Sequence, residues 1–340
     1  MLTAPLFNAE ANDNNIKLWN GKTTNLMLLD KSPQYGWALP IYNQMREFFW
    51  VPQKIDLTQD INDYGNLLPQ EQKAFNGILS YLIYLDSIQE AMLPNIGEVM
   101  TAPSVRHALN QQVFFEGIHS NSYQYIVEAL LPTERRNEIY DFWRSDATLK
   151  KRCLNIIEHY QRYVDTGEEE DYLYALFADY LLEGLYFYNG FQFFYTLCTR
   201  QMMNGTADVI KLIQRDEQIH VYLFQKLMQE AMTEFSFSKD KLMEMVNEAV
   251  NQEIEWTNHI THGEILGISP GSTEMYTKYL ADLRLKNIGL EPLYGVSTSP
   301  YKHLEKVADI GSEAHTKANF FETTTTSYMM SSAVTGWDFI

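Results

Sequence analysis

Cysteine is nearly absent from this 340-residue chain: Cys153 and Cys198 are the only two, and they form no Cys-x-x-Cys pair. That excludes a disulfide framework and gives no thiolate metal site, and it suits a reducing cytoplasm. Positive charge is also scarce. Against 44 acidic residues stand 26 basic ones, a formal net charge of −18, which argues against electrostatic binding to nucleic acid or to an anionic membrane surface. No uninterrupted apolar run reaches the roughly 18 residues needed to span a bilayer. The start, "MLTAPLFNAEANDNN", has neither the basic residues nor the apolar stretch of a secretory signal. Glycine and proline are sparse, 17 and 11 in all, so little interrupts regular structure.

What is present is apolar residues at helical spacing. The pattern predicts an all-α chain with helices near 38–50, 69–95, 103–128, 133–164, 171–201, 205–233, 239–263 and 271–286. Leu68-Pro69-Gln70-Glu71 places a proline in a first turn, and Ser238 to Asp240 offers side-chain caps. Several segments exceed twenty residues, which favours a bundle of long helices. The acidic run Gly167-Glu168-Glu169-Glu170-Asp171 reads as a solvated helix start, where negative charge meets the positive end of the helix dipole. The organisation expected is one helical domain over 1–316, with a short N-terminal extension, and a tail over 317–340. That tail contains four consecutive threonines but ends in Trp337, Asp338, Phe339 and Ile340. Apolar groups at the end of a flexible tail point to a segment that docks on a partner.

Two Glu-x-x-His motifs stand out, Glu116 with His119 and Glu217 with His220. At about 100° per residue, positions i and i+3 share a helix face. The chain holds decoys as well: His159 directly follows Glu158, and Glu255 and His259 are four apart, both in mixed polar surroundings. The two selected motifs differ because each has a carboxylate on the preceding long apolar segment. Asp86 lies in "YLIYLDSIQEAML" before the first motif and Glu183 in "YLLEGLYFYNGFQFFYTL" before the second. The result is an approximate repeat of carboxylate helix, turn and Glu-x-x-His helix. Four helices would turn four carboxylates and two histidines toward one interior, the arrangement of di-iron and di-manganese carboxylate bundles. Without cations such a cluster would cost several kcal/mol per buried charge. Oxygen and imidazole ligands suit iron or manganese.

These residues resemble the small, radical-generating beta subunit of class I ribonucleotide reductase. The resemblance is carried by "FFWVP" at 48–52, "LDSIQ" at 85–89, "FEGIHSNSY" at 115–123, "LEGLYFY" at 182–188 and "LIQRDEQIH" at 212–220. It implies a ferritin-like fold with two metal ions per chain, iron in preference to manganese. Asp86, Glu116 and His119 would bind one ion, Glu183, Glu217 and His220 the other, with Glu116 and Glu217 bridging. Tyr123 stands where the family's tyrosyl radical forms, and its spacing from His119 and Glu116 puts it on their face. Phe187, Phe191 and Ile213 match the apolar pocket around that radical. Trp50, Asp216 and Tyr328 match the route by which the oxidising equivalent leaves, with Asp216 expected to act through His220. The resemblance further implies activation by dioxygen or a reduced oxygen species, a homodimer, a cytoplasmic location, and a large catalytic subunit that reduces ribonucleoside diphosphates and receives the tail. Asp86 together with a tyrosine at 123 fits members that store the radical on tyrosine. Phe115 and Gly117, on either side of Glu116, are departures that tune access or metal preference.

Two other readings share the fold: a stand-alone di-metal oxidase acting on a lipid or small molecule, and a ferritin-like storage protein. Metal analysis of the loaded protein separates storage from a catalytic centre: two ions per chain are expected of the latter, many per chain in a cage of the former. Deletion of residues 321–340 abolishes function in a subunit that docks through its tail and leaves a stand-alone oxidase unaffected.

Overall fold

In a computed structural model of the chain, residues 6–13, 16–26 and 33–304 are described. The expected tail, with Tyr328 and Trp337 to Ile340, and the domain boundary at 316 lie outside the described residues. Among the described residues there is no strand. The order is α1 Ala38–Glu47, α2 Thr58–Asn66, α3 Pro69–Glu98, α4 Pro103–Leu130, α5 Asn137–Tyr140, α6 Phe142–Ser145, α7 Ala147–Thr166, α8 Glu169–Leu181, a π-helical turn Leu182–Tyr186, α9 Tyr188–Thr199, α10 Asn204–Glu234, α11 Lys239–Thr261 and α12 Pro270–Asn287. No described helix is long and apolar enough to cross a membrane.

Local chemistry explains most of these limits. Pro69 opens α3, and the Glu71 carboxylate reaches back to accept from the Leu68 N–H at 3.0 Å. Asp146 caps α7 by accepting from the N–H groups of Thr148 and Leu149, and Gly167 ends it at φ 64°. Ser238 caps α11. The acidic run at the start of α8 is exposed over Glu168 to Glu170, as expected, whereas Asp171 turns inward to Arg162 and Thr166.

Three departures from the sequence pattern have clear causes. The stretch 133–164 is not one helix but a 3₁₀ turn and two short helices before α7. Tyr84 of α3 and Trp143 of α6 stack there with centroids 3.7 Å apart, and the Trp143 N–H donates to Ser80, so tertiary packing overrides local propensity. The stretch 171–201 is interrupted by the π turn, where the Arg284 Nε donates to the Gly184 carbonyl at 2.9 Å. A Cβ on Gly184 would lie 2.7 Å from that Nε. The third is α2, whose polar sequence "TQDINDYGN" hides a structural role.

Helix α10 begins after Met203 in a left-handed conformation, with no side-chain cap of its own. Asp60 of α2 supplies the cap, accepting from the N–H groups of Gly205 and Thr206 at 3.0 and 2.6 Å and from the Thr206 hydroxyl. Asp63 accepts from the Met203 N–H at 3.0 Å. The contact is close enough that a Cβ on Gly205 would meet the Asp56 carbonyl oxygen at 2.5 Å, so glycine is required there.

Helix α3 packs along α4, and α10 lies against α8, the π turn and α9. These long elements enclose the core. Replacing Asp60 by alanine leaves buried donors at the start of α10 unpaired and is expected to cost about 2 kcal/mol or more, read as a lowered midpoint in denaturant unfolding.

Candidate metal centre

Each half of the approximate repeat delivers its carboxylate and its Glu-x-x-His face to the same interior. Asp86 comes from α3, Glu116 and His119 from α4, Glu183 from the π turn, Glu217 and His220 from α10. All six side chains are fully buried. Ligand-type atoms of Asp86, Glu116, His119 and Glu217 lie within 4.8 Å of one another, and so do those of Glu116, Glu183, Glu217 and His220. Glu116 and Glu217 belong to both groups. The six residues selected from the sequence therefore meet, as two overlapping sets.

The imidazoles face the cluster through Nδ1. His119 Nδ1 is 3.1 Å from Glu217, 3.4 Å from Glu116 and 3.7 Å from Asp86. His220 Nδ1 is 2.9 Å from Glu217, 3.1 Å from Glu116 and 3.8 Å from Glu183. Many cluster atoms lack a hydrogen-bond partner: both oxygens of Asp86, one each of Glu116, Glu183 and Glu217, and Nδ1 of His119. Buried polar atoms are rarely left so, and an open set of oxygens and ring nitrogens with no thiolate is the donor set of a hard or borderline divalent metal. The residues fit two such ions.

Burial and mutual repulsion shape the proton affinities. Burial, then the charges of Glu116 and Glu217, holds the Asp86 carboxyl well above its usual range. Burial and the same two carboxylates do the same for Glu183. Burial opposes the charged imidazolium of His220, but Glu116 and Glu217 outweigh it and raise the group to about 9. His119 is raised by Glu217, Asp216 and Glu116 against the same opposition. Glu217 goes the other way despite its burial, because both histidines flank it.

Tyr123 is fully buried one turn beyond His119. Its hydroxyl neighbours the Asp86 carboxylate but has no partner in hydrogen-bond geometry, and burial with the Asp86 charge keeps the phenol protonated. Phe187, Phe191 and Ile213 are fully buried too. On the far side of His119, its Nε2 lies 3.4 Å from Asp216 Oδ2, and the Trp50 indole N–H donates to the same oxygen at 2.6 Å. Arg215 holds the other oxygen, at 2.9 and 3.1 Å. This corrects the expected link between Asp216 and His220: the aspartate meets the histidine of the other motif. The reason is the repeat. Asp216 faces His119 across the repeat, while its counterpart Phe115 packs edge-on to both imidazoles, with centroids 6.3 Å from His220 and 6.5 Å from His119.

Four further groups escaped the sequence reading. Gln89 and Gln112 both donate to Glu183 Oε1, Gln112 at 2.5 Å. Tyr160 and Asp179, both buried, hydrogen-bond to each other at 2.7 Å. Gln89, Gln112 and Asp179 sit three or four residues from Asp86, Glu116 and Glu183. Helical spacing from the motif carboxylates was the available signal. The Glu255 and His259 decoy resolves as two ordinary pairs, His259 with Asp146 at 2.8 Å and Glu255 with Lys151 at 2.9 Å.

Residues 31–300 match the family described as "Ribonucleotide reductase, small chain". The chain is 36% identical over 323 residues to the ribonucleoside-diphosphate reductase subunit beta of Treponema pallidum, covering 94% of this chain and 92% of that protein. It is similar to the solved ribonucleotide reductase R2 subunit from Clostridium botulinum, with a TM-score of 0.88, 38% identity and coverage of 91% and 99% of the two chains. The dimanganese(II)-NrdF of Streptococcus sanguinis shares the fold at a TM-score of 0.70 and 21% identity, over 80% of this chain and 95% of that one.

Because metal ligands must be deprotonated, ion binding displaces protons from His220, raised to about 9, and from His119, Asp86 and Glu183. Apparent metal affinity is therefore expected to climb with pH through neutrality. Calorimetric titration in buffers of different ionisation enthalpy reads the proton release directly; a pH-independent affinity would contradict it.

Proposed function

The chain belongs to the ribonucleotide reductase small-chain family, and from that premise we propose that its buried cluster would hold a dinuclear metal centre, with Tyr123 as the residue to be oxidised. As a family member it is the radical-generating small subunit of a ribonucleoside-diphosphate reductase, an oxidoreductase that serves a large subunit. The observation that carries the finer reading is the pair of overlapping ligand sets sharing Glu116 and Glu217, with the Tyr123 hydroxyl beside Asp86. Asp86 and His119 would hold one ion, Glu183 and His220 the other, and Glu116 and Glu217 both. Iron is the favoured metal and manganese the alternative. With dioxygen or a reduced oxygen species, the bound metals supply a strong one-electron oxidant.

The rest is the work of the protein's own residues. The gap without hydrogen-bond partners around the Tyr123 hydroxyl leaves Asp86 as the nearest group able to take its proton. Phe187, Phe191 and Ile213 keep water and reductants from the radical. Asp216 fixes the His119 tautomer, since a carboxylate on Nε2 favours a proton there and leaves Nδ1 free for the ion. The same aspartate oxygen accepts from Trp50, so the route outward starts from His119 through Asp216 and Trp50. Tyr328 continues that route to the large subunit, which holds the nucleotide, while residues 337–340 dock there; the small subunit acts as a homodimer.

A purified sample loaded with iron, and separately with manganese, and exposed to air is expected to give a tyrosyl signal in electron paramagnetic resonance, and to turn over ribonucleotide only with the large subunit present. Tyr123→Phe is expected to lose that signal as the stable species. Persistence of the wild-type signal in the variant would overturn the assignment.

A further inference from the structure

Tyr160 of α7 lies outside the four ligand-bearing elements and has no place in the route described above. It is 3% exposed. Its hydroxyl is 2.7 Å from Asp179 Oδ2 and 3.4 Å from Gln89 Oε1. Gln89 in turn donates to Glu183, so one amide side chain separates the phenol from the cluster. Asp179 stands one helical turn before Glu183, fully buried, with Oδ1 lacking any hydrogen-bond partner. A buried carboxyl with no cationic side chain bonded to it is costly. An asparagine would satisfy the tyrosine at less expense.

Other buried tyrosines differ in what accepts their proton. Tyr172 and Tyr180 donate to backbone carbonyls, Tyr186 to Asn155 and Tyr195 to Gln214. None of those oxygens is a useful base. Tyr35 does reach a carboxylate, Glu234, but no hydrogen bond among the described residues ties that pair to the cluster. Tyr160 alone among the described residues combines full burial, a carboxylate acceptor and a bonded link to a candidate ligand.

We propose that Tyr160 and Asp179 form a second proton-coupled redox pair, an alternative site for the oxidising equivalent on the Glu183 side of the centre. The proposal rests on the reading of the cluster as an oxidising dinuclear centre. In the step, the Tyr160 phenol gives one electron to the oxidised centre and its proton to Asp179 Oδ2. The O–H bond breaks, a neutral tyrosyl radical and a protonated Asp179 form, and the centre is reduced by one electron. The hydrogen bond then runs from Asp179 to the tyrosyl oxygen, so the Tyr160–Asp179 pair itself is left uncharged, the charge having passed to the centre. Burial makes the phenol hold its proton until oxidation and raises the proton affinity of Asp179, so the step runs from the ionised carboxylate.

The test uses full-length protein loaded with iron and aerated, frozen at short times, with metal content and thermal melting measured on every variant. Tyr123→Phe is expected to show a transient tyrosyl signal that narrows when tyrosine is ring-deuterated. Tyr123→Phe/Tyr160→Phe at equal metal content is expected to lose it, and Tyr123→Phe/Asp179→Asn to show a lower yield. A silent Tyr123→Phe beside a radical-positive wild type overturns this inference and leaves the Tyr123 assignment standing. A signal unchanged in the Tyr160→Phe or Asp179→Asn double variant overturns it as well. A wild type with no radical removes the oxidising centre, and this pair with it.

Discussion

Four carboxylates and two imidazoles packed in a dry interior are the constraint around which this protein is arranged. Each isolated charge would cost several kcal/mol in such surroundings, and the unpaired oxygens of Asp86, Glu116, Glu183 and Glu217 show that protein donors do not satisfy the set. Only cations or protons can. The histidines are accordingly drawn toward the charged form, and Asp86 and Glu183 toward the neutral one. Bound cations would relieve the same repulsion once the protons leave.

Holding that cluster demands rigid support from elements that contribute no ligand. Helix α2 lends Asp60 and Asp63 to the bare start of α10, and α12 lends Arg284 to the π turn that carries Glu183. A π turn frees backbone groups that ordinary helix would satisfy, and such turns recur at functional sites. Arg284 accounts for one freed carbonyl. Farther out, Arg152 is fully buried in an ion pair with Glu253, its guanidinium carbon 3.5 Å from the Tyr81 ring centroid. Removing one member of a buried pair costs about 3–5 kcal/mol, so it is a strong local constraint on α7 against α11.

The two halves of the repeat are alike in their ligands and opposite in what lies behind them. Behind His119 is Asp216, hydrogen-bonded to Trp50 and Arg215; in the corresponding place beside His220 is Phe115. His119 therefore has a polar connection outward, whereas His220 Nε2 has no hydrogen-bond partner. The polar groups near Glu183 are Gln89, Gln112, Tyr160 and Asp179. A departure at a single position, phenylalanine against aspartate, gives a nearly symmetric centre a direction.

The clustered residues were legible in the chain because helix geometry is local: a spacing of three from Glu116 to His119, or from Glu217 to His220, decides their common face whatever surrounds them. The same locality exposed Asp86 and Glu183 as partners and placed Tyr123 one turn beyond His119. It failed where a polar residue answers to a distant one. Nothing in "TQDINDYGN" reveals that Asp60 caps a helix some 145 residues away, and nothing in α7 marks Tyr160 as a neighbour of Gln89. Asp216 was recognised, but its partner was assigned within its own motif, whereas packing sends it across to His119. Composition and periodicity by themselves determined an all-α chain, and motif spacing the six residues that meet in its interior. Which histidine each second carboxylate serves, where the helices break and which tyrosines border the cluster were decided by tertiary structure, because those contacts depend on how helices cross rather than on how one helix turns.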